Sequence, residues 1–139
     1  KNPFLEFKNR IIEILNDFEI NECFDSKIIT NDRDKDILIS EDDFELLITC
    51  KYRESKNIRF DDVERTAANS RFLNVQGVIV TNLGYGQKAI KVAKKYNIIL
   101  AHDFNIKDKL RSYIDKMVER KELDILEDIE REEKISLYF

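Results

Sequence analysis

The chain has 139 residues, one domain's worth, and 42% of them are hydrophobic, enough for a sizeable core. Charged residues reach 37% at a net charge of −4, so the chain lacks a global basic signature, and any contact with nucleic acid has to come from a local patch. Cys23 and Cys50 form neither a disulfide framework nor a zinc pattern and read as reduced thiols of a cytoplasmic protein.

No apolar run approaches the ~20 residues that span a bilayer, so no membrane partner is expected. The chain opens on Lys1 rather than Met, shows no signal peptide and closes on the apolar "ISLYF". It therefore reads as a piece of a longer protein whose other domains cover that end.

In chain order, "PFLEFKNRIIEILNDF" puts Phe4, Phe7, Ile11, Ile14 and Phe18 at helical spacing, with Pro3 suited to the first turn. A short strand is expected over residues 28–30, and "NDRDKD" is a charged loop. "DILIS" and "FELLITCKY" are two β-rich runs joined by a turn over residues 41–43. A helix follows, capped by Asp61 or Asp62, with Val63, Ala67 and Phe72 inward. "GVIVTN" is an uninterrupted apolar run of the kind found in a strand covered on both faces.

"GYGQKAIKVAKKY" gives a helix with Ala89, Ile90, Val92 and Ala93 inward, and "NIILAHDF" gives another buried strand. From Lys107 the period is helical again, through Leu110, Tyr113, Ile114 and Met117 and then Leu123, Leu126 and Ile129, as one or two exposed helices. The order α-β-β-β-α-β-α-β-α argues a mixed α/β sheet with helices on both faces.

Strand alternation puts Phe44, Leu46, Ile48, Cys50 and Tyr52 on one side of "FELLITCKY", and Glu45, Leu47, Thr49 and Lys51 on the other. The first side is core, whereas the second turns polar towards its end. In a hairpin the start of one strand lies near the end of the next, which brings Asp36 towards Lys51. A carboxylate and a lysine so placed suit metal-assisted phosphodiester hydrolysis. Mg²⁺ takes a few carboxylate oxygens and keeps waters, and an ammonium can orient the attacking water. The plain alternative is a structural ion pair at a sheet edge.

The runs "DILI", "FELLITCKYRESKNIRFDDVE" and "GVIVTNLGYGQKAIKVAKKYNIILAHDF" together resemble the Mrr-like branch of the PD-(D/E)xK restriction-endonuclease superfamily. The resemblance covers about half the chain, in the family's order, and its most specific parts are Cys50-Lys51 and the run from "VIVTN" to "NIIL". It implies a restriction-endonuclease-like α/β fold: a mixed central β-sheet flanked by helices on both faces, with additional C-terminal helices. The core would cover residues 1–105. A helical extension, 106–139, would lead to another domain.

The implied activity is a Mg²⁺- (or Mn²⁺-) dependent DNA endonuclease, a restriction or defence effector. By resemblance, Asp36 binds metal, Lys51 is catalytic, and a Glu of the opening helix, Glu6 or Glu13, completes the site. The expected catalytic set is Asp36, Lys51, Thr49 and Glu13, with Asp36 and Glu13 as the metal ligands. Thr49 departs from the family's Glu or Gln at its position, and a hydroxyl is a weak ligand. Either Glu64, Glu13 or Glu45 supplies the missing oxygen, or cleavage is lost and binding kept.

Tyr52, Arg53, Lys56 and Arg59 follow the motif strand as the expected DNA-contacting patch. Lys88, Lys91, Lys94 and Lys95 line a helix face whose ordinary reading is solvation. The glycines of "GYG" read first as a turn that needs glycine's φ freedom, and second as a phosphate-holding helix start. Tyr85 reads as packing and the lone His102 as structural. A homodimer is expected because cutting both strands takes two sites. The competing functions are an inactive DNA-binding or assembly module of the same fold, and a protein-interaction domain using the charged C-terminal helices.

Overall fold

The computed structural model describes residues 2–17, 27–30, 36–40 and 44–138. Phe18, Cys23, the charged loop at 31–35 and the turn at 41–43 lie outside them.

Helix α1 (Pro3–Asp17) forms because Phe7, Ile11 and Leu15 recur every fourth residue, and all three are buried on one stripe. Asn2 caps it, its side-chain oxygen accepting the Phe4 N–H at 3.0 Å. Three antiparallel strands follow: β1 (Lys27–Thr30), β2 (Asp36–Ser40) and β3 (Glu45–Lys51). Helix α2 (Phe60–Leu73) then crosses to β4 (Gln76–Thr81), parallel to β3, and α3 (Gln87–Tyr96) crosses to β5 (Ile99–His102), parallel to β4. Helix α4 (Ile106–Tyr138) ends the described chain.

The sheet order is β1-β2-β3-β4-β5, mixed in direction. Element order and fold class are those expected: an α/β architecture with helices on both faces of one mixed sheet. Asn74 and Asn97 close α2 and α3 in the left-handed region, at φ 57° and 58°, a conformation asparagine tolerates better than most residues.

Two apolar clusters lie on the two sides of the sheet. One joins Phe7, Ile11 and Leu15 of α1 and Ile106 and Leu110 of α4 to Ile37, Ile39, Leu46, Ile48, Cys50, Val78, Val80 and Ala101. The other joins Val63 and Ala67 of α2 and Ala89 and Ala93 of α3 to Ile58, Ile79 and Ile98. The alternation of β4, with Val78 and Val80 in one cluster and Ile79 in the other, is the period of two that a strand carries.

Gly77 lets α2 and Ile98, the residue leading into β5, close onto β4, since a Cβ there would lie 2.8 Å from Ile98 Cδ1 and 3.0 Å from Ser70 Oγ. Past Met117 the side chains of α4 stand largely in solvent, including Leu123, Leu126 and Ile129.

Several expectations are corrected. Phe72 does not face inward but is 89% exposed. It lies nine positions beyond Val63, which at 3.6 residues per turn puts it on the opposite side of the helix. Ile90 is 39% exposed at the edge of α3's buried stripe, adjoining Ala89 rather than sharing its direction. Of the one or two helices expected after residue 106, the described chain forms one, of 33 residues.

The "GYG" glycines do not use positive φ. Gly86 is the N-cap of α3 at φ −67°, and Gly84 stands where a Cβ would meet Asn57 Oδ1 at 2.9 Å. Close approach, not backbone freedom, is what Gly84 supplies: its carbonyl accepts the Ile58 N–H at 2.8 Å, and the Gly86 N–H donates to the Ile58 carbonyl at 3.0 Å.

Candidate active site at the carboxyl ends of β3 and β4

The register places the motif residues. Asp36, first in β2, is directly across from Thr49, and Lys51 is directly beside Thr81 of β4. Thr49 and Lys51 share the side of the sheet that α2 covers, while Cys50 between them points into the cluster under α1. The two-faced reading of β3 is therefore the arrangement observed. Thr81 is fully buried.

Lys51 ends in a cluster built around Asp62. Its Nζ is 3.9 Å from Asp62 Oδ1, Arg53 Nη2 is 3.3 Å from Oδ2, and Arg65 Nη1 is 3.8 Å from Oδ1. The Arg59 N–H donates to Asp62 Oδ2 at 3.2 Å, which makes Asp62 the N3 half of a capping box on α2. The cap is thus neither Asp61 nor Asp62, the expected candidates, but Arg59, with Asp62 bonding back to it. The Asp62 carboxylate is 11% exposed and faces three cations, so the spot keeps a positive excess within an acidic chain.

Arg53 is itself fixed. Its N–H donates to Asn82 Oδ1 at 2.8 Å, and Asn82 Nδ2 donates to its carbonyl at 2.9 Å, which ties the end of β3 to the end of β4. Composition and spacing carried no sign of Asp62, Arg65 or Asn82 as site residues. Their contacts are tertiary, and only the capping pattern hinted at Asp62.

The other expected residues are placed as follows. Tyr52 packs on α1, its ring 5.3 Å from Phe4 and 6.2 Å from Phe7. Arg59 pairs with Asp61 at 3.5 Å and is 70% exposed, and Lys56 is exposed in the loop after β3. Glu6 and Glu13 are exposed on α1, across the sheet from the side that carries Thr49 and Lys51. Glu64 is exposed on α2. Glu45 pairs with Ser40 at the far end of β3, roughly 13 Å of strand from Thr49, so it does not supply an oxygen to this end.

Thr49 is 7% exposed, and Thr66 of α2, 2% exposed, donates to its hydroxyl at 3.5 Å. The Thr49 hydroxyl is thus turned into the interface with α2. Burial pushes the Cys50 thiol up to about 12, with the Asp36 carboxylate adding to the rise and the Lys8 ammonium opposing it. Both charges therefore act on the same stretch of β3. Tyr85 is raised by burial. Its hydroxyl donates to the Ala101 carbonyl at 2.6 Å, so it is the packing residue expected.

No family model matches the chain, and no curated protein matches it. Solved structures similar to it include the following two. One is a protein of unknown function, AF1548, at 21% identity and a TM-score of 0.49 over 69% of this chain and 57% of that one. The other is the DNA modification-dependent restriction endonuclease AspBHI, at 13% identity and a TM-score of 0.43 over 81% of this chain and 36% of that one. The chain thus corresponds to little more than half of the first and about a third of the second.

The donor set decides how a cation could be held. Among the described residues no three His, Cys, Asp or Glu side chains gather as a cage. Mg²⁺ is commonly held by one or two carboxylates together with substrate phosphate and water. A single carboxylate such as Asp36 could hold a cation only in that second manner.

Proposed function

We propose that this chain is a divalent-metal-dependent DNA endonuclease domain, acting in restriction or defence, that hydrolyses phosphodiester bonds at the carboxyl end of β3. The observation that carries this is the register: Asp36 faces Thr49 directly, and Lys51 follows on the same side beside a cationic cluster. Asp36 supplies the carboxylate for Mg²⁺ or Mn²⁺. A bound cation lowers the pKa of its water and offsets phosphate charge.

Lys51 presents an ammonium that orients the attacking water and steadies charge on the phosphorus oxygens. Arg53, anchored through its backbone by Asn82, and Arg65 at the mouth of the cluster hold the neighbouring phosphates. Cutting both strands of a duplex calls for two copies of such a site.

Supercoiled plasmid tests the reading. Wild type nicks it with Mg²⁺ or Mn²⁺ and not with EDTA, whereas Lys51→Ala and Asp36→Asn do not nick. A wild type that retards DNA without nicking it under either metal defeats the nuclease assignment. It would establish the second reading, an inactive DNA-binding module of the same fold, which the burial of Thr49 against Thr66 favours.

A further inference from the structure

We propose that Phe104, stacked on His102, is a platform for a base of single-stranded DNA lying across the carboxyl ends of β3, β4 and β5. This inference rests on the phosphodiester reading of that end and adds the strand's chemical form to it.

The register puts the platform in line with the cluster. Lys51 is paired with Thr81, and Thr81 with His102, so the three form one row on one side of the sheet. His102 is two strand spacings from Lys51, roughly 10 Å. In open α/β sheets, the crevice beyond the carboxyl ends of parallel strands is where ligands bind.

The rings are held in place. His102 and Phe104 lie within 16° of parallel, with centroids 4.8 Å apart. Tyr85 meets His102 edge-on at 5.5 Å, and its hydroxyl is tied to the Ile79 and Ala101 carbonyls at 2.9 and 2.6 Å. The His102 N–H donates to Asn105 Oδ1 at 2.7 Å, fixing the turn that carries Phe104. A half-buried pillar of Tyr85 and His102 therefore supports a ring that is itself 77% exposed.

Cations for the backbone at one end and an open ring face at the other are the two parts of a single-strand site, because every base has a π-face to stack. A paired duplex keeps its bases stacked on one another and offers none to Phe104.

Intrinsic fluorescence supplies the probe, because the chain contains no tryptophan. With EDTA present to prevent cutting, wild type, Phe104→Ala and Phe104→Trp are titrated with oligo(dT) and with a duplex of equal length. Phe104→Ala weakens oligo(dT) binding about tenfold and leaves duplex binding unchanged. Phe104→Trp keeps the affinity for oligo(dT), and the introduced indole is quenched at saturation.

Equal oligo(dT) affinities for wild type and Phe104→Ala, or an indole unquenched at saturation, overturn the platform and leave the phosphodiester reading standing. A wild type that binds neither nucleic acid overturns both.

Discussion

Lys51 Nζ stands 3.9 Å from Asp62 Oδ1, with the two side chains 17% and 11% exposed, so the lysine that ends β3 meets its counter-charge on α2. That relationship joins the candidate chemistry to the stability of a helix start. Asp62 also accepts the Arg59 N–H and draws in Arg53 and Arg65. Asp62→Ala removes the capping-box acceptor of the Arg59 N–H and the carboxylate that those cations share, and is expected to cost about 2 kcal/mol. Asp62→Asn keeps an oxygen for the Arg59 N–H and should cost clearly less. Urea denaturation measures both, and an Asn variant as unstable as the Ala one would show that charge, not the cap, dominates.

The same cluster marks the limit of what sequence could disclose. The two faces of "FELLITCKY" were legible because a strand repeats every two residues, and so Cys50 went to the core and Lys51 to the polar side. Asp62 was legible only as a cap candidate, since its pairing with Lys51 depends on where α2 lands. Arg59 as the N-cap has no signature in the sequence, because the preferred caps are Ser, Thr, Asp and Asn. Helical spacing identified α1, but not that its packing puts Glu13 across the sheet from Thr49 and Lys51. Phe72, nine residues past Val63, lies beyond the reach of the buried stripe of α2.

Thr49 and Thr66 form a buried hydroxyl pair, and a thermodynamic cycle separates its contribution from the cost of leaving one partner alone. Thr49→Val or Thr66→Val alone strands a buried hydroxyl and is expected to cost about 1 kcal/mol, while the double variant recovers most of that loss. Thr49→Glu places a charge in a site only 7% exposed and should cost about 3 kcal/mol or more. Thermal denaturation of the four variants checks this. A stable Thr49→Glu protein would mean that the side chain can turn out of the interface with α2.

A single strand-borne carboxylate binds Mg²⁺ weakly without phosphate. Titration of the metal into the protein alone should show no saturation below the millimolar range. With DNA present, Ca²⁺ or Mg²⁺ should strengthen complex formation for wild type and not for Asp36→Asn, as measured by anisotropy of a labelled duplex at constant ionic strength. Tight metal binding by the protein without DNA would require more ligands than Asp36 supplies, and would point to carboxylates beyond the described residues.

Cys50 makes the fold sensitive to alkali. Its thiol is 1% exposed and raised from 9.0 to about 12. A raised acid pKa means that the folded protein holds its proton where the unfolded chain has lost it. The contribution is therefore complete below pH 9 and disappears as pH climbs towards 12. The slope in that window is about 1.4 kcal/mol per pH unit for this one group, and its total is on the order of 4 kcal/mol. In a Cys23→Ser background, urea midpoints from pH 8 to 11 should fall more steeply for the protein with Cys50 than for Cys50→Ala. The alanine variant starts lower because it leaves a cavity. In the same background Cys50 should resist iodoacetamide at pH 8 until urea unfolds the chain, because only the thiolate reacts. Parallel midpoint curves for the two proteins, or rapid labelling of the native state, would place the thiol within reach of water and contradict its burial under α1.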